Sequence, residues 1–184
     1  MNDDDISLMR EIMGGNRGAF DTLVRRHQNY FFAIAYRFMN NRDAAEDVLQ
    51  TAFLKLWERP YKFDPDGAAG FRTWFARVVV NQCRDAIRAR RQTADIDDMD
   101  IADSRPMAAD LIDRERKIRA LQAGIAKLSP DQRTAIVLGW VQDMKYAEVG
   151  TIMKKSESAI KVTILRAKEK LRVHMKENGY DGIE

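Results

Sequence analysis

Apolar residues recur three and four positions apart through most of this chain, and strand-like alternation is almost absent. Phe20, Leu23, Val24, Phe31, Ile34, Ala35 and Phe38 make one stripe, and Ala45, Val48, Leu49, Ala52 and Leu56 make the next. A 3.6-residue period gives a helix one apolar face to bury, so the pattern predicts an all-α fold. Asn41-Arg42-Asp43 separates the two stripes, and Pro60, Pro65, Gly67 and Gly70 mark a loop. A further helix follows, TWFARVVVNQCRDAIRARR over 73–91. After it, TADIDDMDIADSRPM has no clear period and many aspartates. Helical spacing resumes near Leu111, with Ile118, Leu121, Ile125 and Leu128 on one stripe. Ser129-Pro130-Asp131 is a start signal, with Ser129 as N-cap and Pro130 at the first helical position. The last two helices are expected from Tyr146 to Met153 and from Ser156 to about Lys176.

Charge divides the chain. Residues 1–92 carry +3, residues 93–113 carry −6 and residues 114–184 carry +6. The division predicts two small helical bodies, 1–92 and 114–184, joined by a flexible acidic linker over 93–113. Fully extended, about 20 residues reach roughly 65 Å.

Other classes are excluded. Hydrophobic residues are 45% of the chain, enough for packed cores rather than disorder. No apolar run approaches the roughly 20 residues of a membrane helix. The acidic start MNDDDISLMR is unlike a secretion signal, so the expected address is the cytoplasm, with no membrane insertion. Cys83 is the single cysteine. It permits no internal disulfide and no multi-cysteine metal site, and it reads as a buried, inert thiol. His27 and His174 fall in different bodies without motif partners. There is no glycine-rich phosphate loop and no HExxH, so neither enzyme chemistry, a metal nor a cofactor is expected.

Three stretches carry chemistry. Lys145 to Met175 reads KYAEVGTIMKKSESAIKVTILRAKEKLRVHM. A short helix, a polar break at Lys154-Lys155 and a second helix capped by Ser156 have helix-turn-helix spacing. Ile160, Ile164, Ala167 and Leu171 give the second helix its apolar face, and Lys161, Arg166, Lys168, Lys170 and Arg172 its basic one. Such a helix fits a DNA major groove; an ordinary hairpin with a solvated basic face has the same pattern. Upstream, the 73–91 helix combines Trp74, Asn81, Arg84, Arg88 and Arg91. An aromatic can stack on or wedge a base, an amide can read an edge, and arginines three or four apart can hold phosphates, as in single-stranded nucleic-acid sites. Trp74 as a core residue is the competing reading. In AAEDVLQTAFLKLWERPYKF, Asp47, Gln50, Phe53 and Trp57 lie away from the apolar stripe. They form either a second core contact or aromatic anchors for a partner protein.

In this order the stretches resemble the extracytoplasmic-function sigma factors, the smallest class of bacterial RNA polymerase specificity subunits. DAAEDVLQTAFLKLW is similar to that family's region 2.2, and TWFARVVVNQCRDAIRARR to regions 2.3 and 2.4. LSPDQRTAIVLGWVQDMKYAEVGTIMKKSESAIKVTILRAKEKLR is similar to region 4. The resemblance covers nearly the whole chain, with the acidic segment where the family has a variable linker. It implies a region 2 bundle over 1–92 and a region 4 helix-turn-helix over 114–184. It implies that Asp47, Gln50, Phe53 and Trp57 bind core RNA polymerase. It places Trp74, Asn81, Arg84, Arg88 and Arg91 at the melted −10 element, and Lys155, Ser158, Lys161, Val162, Leu165 and Arg166 at the −35 duplex. The implied partners are core polymerase, promoter DNA and an anti-sigma factor, for a monomer. The linker would lie in a basic polymerase channel near the nascent RNA path, or act as a plain spacer.

Two departures stand out. The family often has glycine in the helix-turn-helix turn, where this chain reads Met-Lys-Lys-Ser. It often reads Gly-Thr-Val-Lys-Ser at the recognition-helix start, where this chain has Ser158-Ala159-Ile160-Lys161-Val162. A helix-turn-helix regulator acting without polymerase would leave Asp47, Gln50, Phe53, Trp74 and Asn81 without a task. A decoy that only binds an anti-sigma factor would not need Arg84, Arg88 and the basic helix together.

Overall fold

Four helices build the first body: α1 (Asp3–Met13), α2 (Arg17–Met39), α3 (Arg42–Glu58) and α4 (Phe71–Thr93). The computed structural model describes residues 3–93 and 109–180, and of these not the side chains of residues 3, 91, 93 and 109–112. Among the described residues all regular structure is helical. The break foreseen at residues 41–43 is a tight reversal. Asn40 ends α2 in the left-handed region at φ 50°, and the Asn41 side chain accepts a hydrogen bond from the Ala44 amide at 2.8 Å, capping α3. Asparagine suits both places, because its short polar side chain tolerates the left-handed well and replaces a missing helical acceptor.

Helix α2 is the hub, packing against α1, α3 and α4. Its stripe is buried as expected, with Phe31, Ile34 and Ala35 fully enclosed. Phe31 meets Phe75 of α4 edge-on at 4.8 Å, and Phe71 stacks near Phe75 at 5.4 Å. Such aromatic pairs add about 0.5–1.5 kcal/mol each beyond their burial. Helix α1 is fastened to α2 by charge. The buried Asp5 carboxylate accepts from Arg26 Nη1 at 2.7 Å and pairs with His27 Nε2 at 3.0 Å. His27 is thus a core residue, held by Asp5 and packed against Phe31 and Phe71.

The second body comprises α5 (Ala109–Lys127), α6 (Pro130–Ala135), α7 (Tyr146–Met153) and α8 (Glu157–Glu177), with α8 central to the other three. Ser129 caps α6 as read from the sequence: its hydroxyl accepts from the Gln132 amide while the Gln132 side chain accepts from the Ser129 amide. Buried Arg133 donates to the carbonyls of Ile125 and Ala126, satisfying the orphan end of α5 with a cation where the helix dipole is negative. One feature was not foreseen. Over Ile136–Val141 the helix widens, the Gln142 amide reaching back five residues to the Val137 carbonyl at 3.0 Å.

Part of the expected linker is helical: α5 begins at Ala109, so residues 109–113 belong to it. Residues 94–108, with most of the aspartates, lie outside the described residues. The two bodies touch. Helix α4 packs on α7, and α2 on the widened turn.

Candidate nucleic-acid interface

Helix α4 has two faces because its sequence has two patterns. At about 100° per residue, Phe71, Phe75, Ala76, Val79, Val80 and Cys83 fill one broad arc, and all six are buried. Trp74, Asn81, Arg84, Arg88 and Arg91 fall within about 100° on the opposite side. Trp74 is half-buried, its ring leaning on Phe63 at 5.3 Å. It therefore packs with one edge and presents the other. Asn81 and Arg88 are exposed. Arg91 is on α4, but its side chain is outside the described residues. Burial pushes the Cys83 thiol up to about 12, so it stays protonated and unreactive at neutral pH.

Arg84 is not on an open ridge. Its Nη2 donates to Asp131 Oδ1 and Thr134 Oγ1, each at 3.0 Å, and to the Pro130 carbonyl at 3.4 Å. These acceptors all sit in the first turns of α6, in the other body. Arg84 Nε is buried with no hydrogen-bond partner. Asp131 also accepts from Lys155 Nζ at 2.7 Å. The Lys155 hydrogen bond holds the Asp131 carboxyl below its usual range against the opposing effect of burial, with smaller help from the charges of Lys155 and Arg84.

The helix-turn-helix is formed by α7 and α8. Lys154 closes α7 in the left-handed region at φ 55°, where the family often has glycine. The glycine of this motif is Gly150, and a Cβ there would meet the Lys155 carbonyl oxygen at 2.6 Å. Ser156 caps α8 by accepting from the Ala159 amide at 3.2 Å. Ile160, Ile164, Ala167 and Leu171 are buried. Ser158, Lys161, Val162, Leu165 and Arg166 share the opposite face, all exposed, with Leu165 at 69%. Lys161 pairs with Glu157 at 2.8 Å, which raises its pKa. Bare aliphatic carbon beside cations is the surface that meets thymine methyls and phosphates in a major groove.

On α3 the expected partner surface needs a correction. Asp47 and Gln50 are exposed. Phe53 is 7% exposed, with its ring 4.9 Å from Phe75 and 6.4 Å from Phe20. It is a core residue and leaves the candidate surface. The cause is that α3 is covered from two sides, by α2 and α4, which widens its buried arc beyond a single stripe. Trp57 is half-buried against Phe20 at 5.2 Å. Leu54 was missed: it lies between Asp47 and Gln50 on the helical wheel and is 53% exposed. The signal was available, since a leucine off the apolar stripe has no core to enter.

Among the described residues, no three His, Cys, Asp or Glu side chains are grouped to hold a metal ion, and no helix is long and apolar enough to cross a membrane. Residues 23–93 match the family described as Sigma-70 region 2, and residues 118–171 match Sigma-70, region 4. The chain is 30% identical over 165 residues to the RNA polymerase sigma factor CarQ of Myxococcus xanthus, covering 89% of this chain and 93% of that protein. It is 30% identical over 169 residues to the ECF RNA polymerase sigma factor SigM of Mycobacterium tuberculosis, covering 91% and 82%. The solved structure of CnrH in complex with the cytosolic domain of CnrY is similar over 95% of this chain and 98% of that one, with a TM-score of 0.71 and 26% identity.

Proposed function

Because this chain belongs to the sigma-70 family of RNA polymerase sigma factors, in its extracytoplasmic-function class, we propose that its two bodies divide promoter recognition between them. Residues 1–92 bind core polymerase and the melted −10 element, and residues 114–184 bind the −35 duplex. The carrying observation is the open face of α8, where Lys161, Val162, Leu165 and Arg166 stand exposed opposite a buried stripe. Lys155 and Ser158 flank it at the turn. On α4, Trp74, Asn81, Arg84, Arg88 and Arg91 serve the opened strand. On α3, Asp47, Gln50 and Trp57 meet the polymerase, with Leu54 supplying the apolar contact that Phe53 cannot.

The chain acts as an initiation factor in the cytoplasm. Control by an anti-sigma factor extends the likeness to CnrH, whose structure holds the cytosolic domain of another protein. The test is reconstitution. The purified chain, core polymerase and a pooled library of bacterial promoters should yield transcripts that start at discrete positions. DNA binding that is indifferent to core polymerase, with no transcripts, would instead show a regulator working alone.

A further inference from the structure

The two bodies meet where their proposed DNA contacts are. Asp131, in the first turn of α6, pairs with Arg84 from α4 at 3.0 Å and with Lys155 from the helix-turn-helix at 2.7 Å. These cations were assigned to different promoter elements, yet one carboxylate holds both. Thr134 adds a second acceptor for Arg84 at 3.0 Å. Further along α4, Trp74 lines a cleft of about 1430 Å³ whose other wall includes Gln142, Met144 and Glu148 of the second body.

This arrangement cannot be the one that reads a promoter. Elements named −10 and −35 are about 25 base pairs apart, roughly 85 Å at about 3.4 Å per base pair. A folded chain of this length is about 40 Å across. The bodies must therefore part before both elements are engaged, and Arg84 must leave Asp131 before it can hold a phosphate. The contact is built to be left. Its pairs are partly exposed, where ion pairs contribute little. Arg84 Nε is buried there without a partner, which weakens the closed form further.

We propose that Asp131 is an intramolecular latch: it holds the free chain closed by occupying Arg84 and Lys155, and so withholds them from DNA until the bodies separate. Asp131 acts here as a stand-in for phosphate, an anion offered to the same guanidinium. The latch rests on the reading of Arg84 as a DNA contact, but the closure it predicts can be measured without DNA.

The experiment uses the full chain with fluorescent labels at Asp43→Cys and Lys176→Cys, exposed sites on α3 and α8. Buried Cys83 takes no label. Energy transfer reports the distance between bodies, and anisotropy reports binding of a 12-nucleotide oligo-dT probe. Asp131→Asn should lengthen the distance and tighten probe binding by about fivefold. Thr134→Val, which keeps the side chain's shape, should do the same more weakly, and carries the test if Asp131→Asn fails to fold. Glu169→Gln, an equal charge change on a different helix, α8, where Glu169 pairs with Arg172, should leave the distance alone and alter binding by less than twofold.

An unchanged distance in both variants overturns the latch. So does a lengthened distance whose gain in binding is no larger than that of Glu169→Gln. Adding Arg84→Ala to Asp131→Asn separates the two ideas: binding that stays tight means that Arg84 is not the DNA contact, whatever the distance shows.

Discussion

Phe53→Ala should behave as a core mutation, and Asp47→Arg as a surface one. The Phe53 ring is nearly enclosed, 4.9 Å from Phe75 and 6.4 Å from Phe20. Truncating a buried phenylalanine to alanine costs about 3–5 kcal/mol. Phe53 sits at the edge of the α2–α3–α4 core, where Trp57 can relax inward, so the lower end applies, about 3–4 kcal/mol. With a urea slope of about 2 kcal/mol/M, the midpoint of the first body should fall by about 1.5–2 M. That loss is a large part of the 5–15 kcal/mol that typically holds a domain folded. Any fall in polymerase binding by Phe53→Ala should therefore track the unfolded fraction and recover on cooling toward maximum stability. Asp47→Arg changes only an exposed side chain, so its urea midpoint should stay within the scatter of wild type while core binding weakens at every temperature. Circular dichroism in urea and a core-polymerase pull-down on the same samples give both readouts. A Phe53→Ala protein with a wild-type midpoint and weak core binding would refute the reasoning and return the ring to the partner surface.

Lys154→Gly should stabilise the second body by about 1 kcal/mol, since lysine pays the left-handed penalty that glycine avoids; a lower melting temperature would contradict this. Cys83 should resist thiol reagents in the native chain and react at once in guanidinium. Its native thiol ionises only near 12, whereas an unfolded one does so near about 8.5, so it leaves stability unchanged below that value and lowers it as pH rises toward 12, by about 2 kcal/mol at pH 10. The wild-type chain should therefore lose more stability between pH 7 and 10 than Cys83→Ala does, measured by urea melts. Lys161→Ala should cost about 1–3 kcal/mol on preferred −35 duplexes and relax choice at one position, while Arg166→Ala weakens all sequences alike and reduces the salt slope by about 1. Identical profiles on a panel of −35 variants would show that α8 is misplaced in the groove.

Helix positions were legible because each rests on local chemistry. The stripe of α2, the break at Asn41-Arg42-Asp43 and the Ser129 and Ser156 caps act within four residues of themselves. So was the face of α8, because its apolar and basic positions separate cleanly at 100° per residue. Phe53 was not legible, since a period announces one buried face and cannot say how many neighbours a helix will have. The widened turn at Ile136–Val141 was hidden for a related reason. Gly139 sits where a Cβ would meet Ile164 Cδ1 at 2.7 Å, so α8 approaches closely there, and no local propensity signals that approach. The Arg84–Asp131 pair joins residues 47 positions apart across an acidic segment, and nothing near either residue points to the other.

That last pair explains why the two DNA-facing helices look so different in the free chain. The face of α8 is open, with Leu165 and Val162 bare to solvent and Lys161 paired with Glu157, an exposed partner one turn away. An exposed i, i+4 pair of that kind is screened by solvent and contributes too little to oppose a base contact. The face of α4 is half occupied, with Trp74 leaning into a cleft and Arg84 on a carboxylate. A duplex presents its phosphates and groove edges ready-made, so an open surface suits it. A melted strand exists only after polymerase has begun to open the promoter, and a cationic, aromatic ridge left bare before then would bind any single strand it met, since stacking and phosphate contacts carry little sequence information. Covering α4 and leaving α8 open thus matches the order in which the two forms of DNA become available.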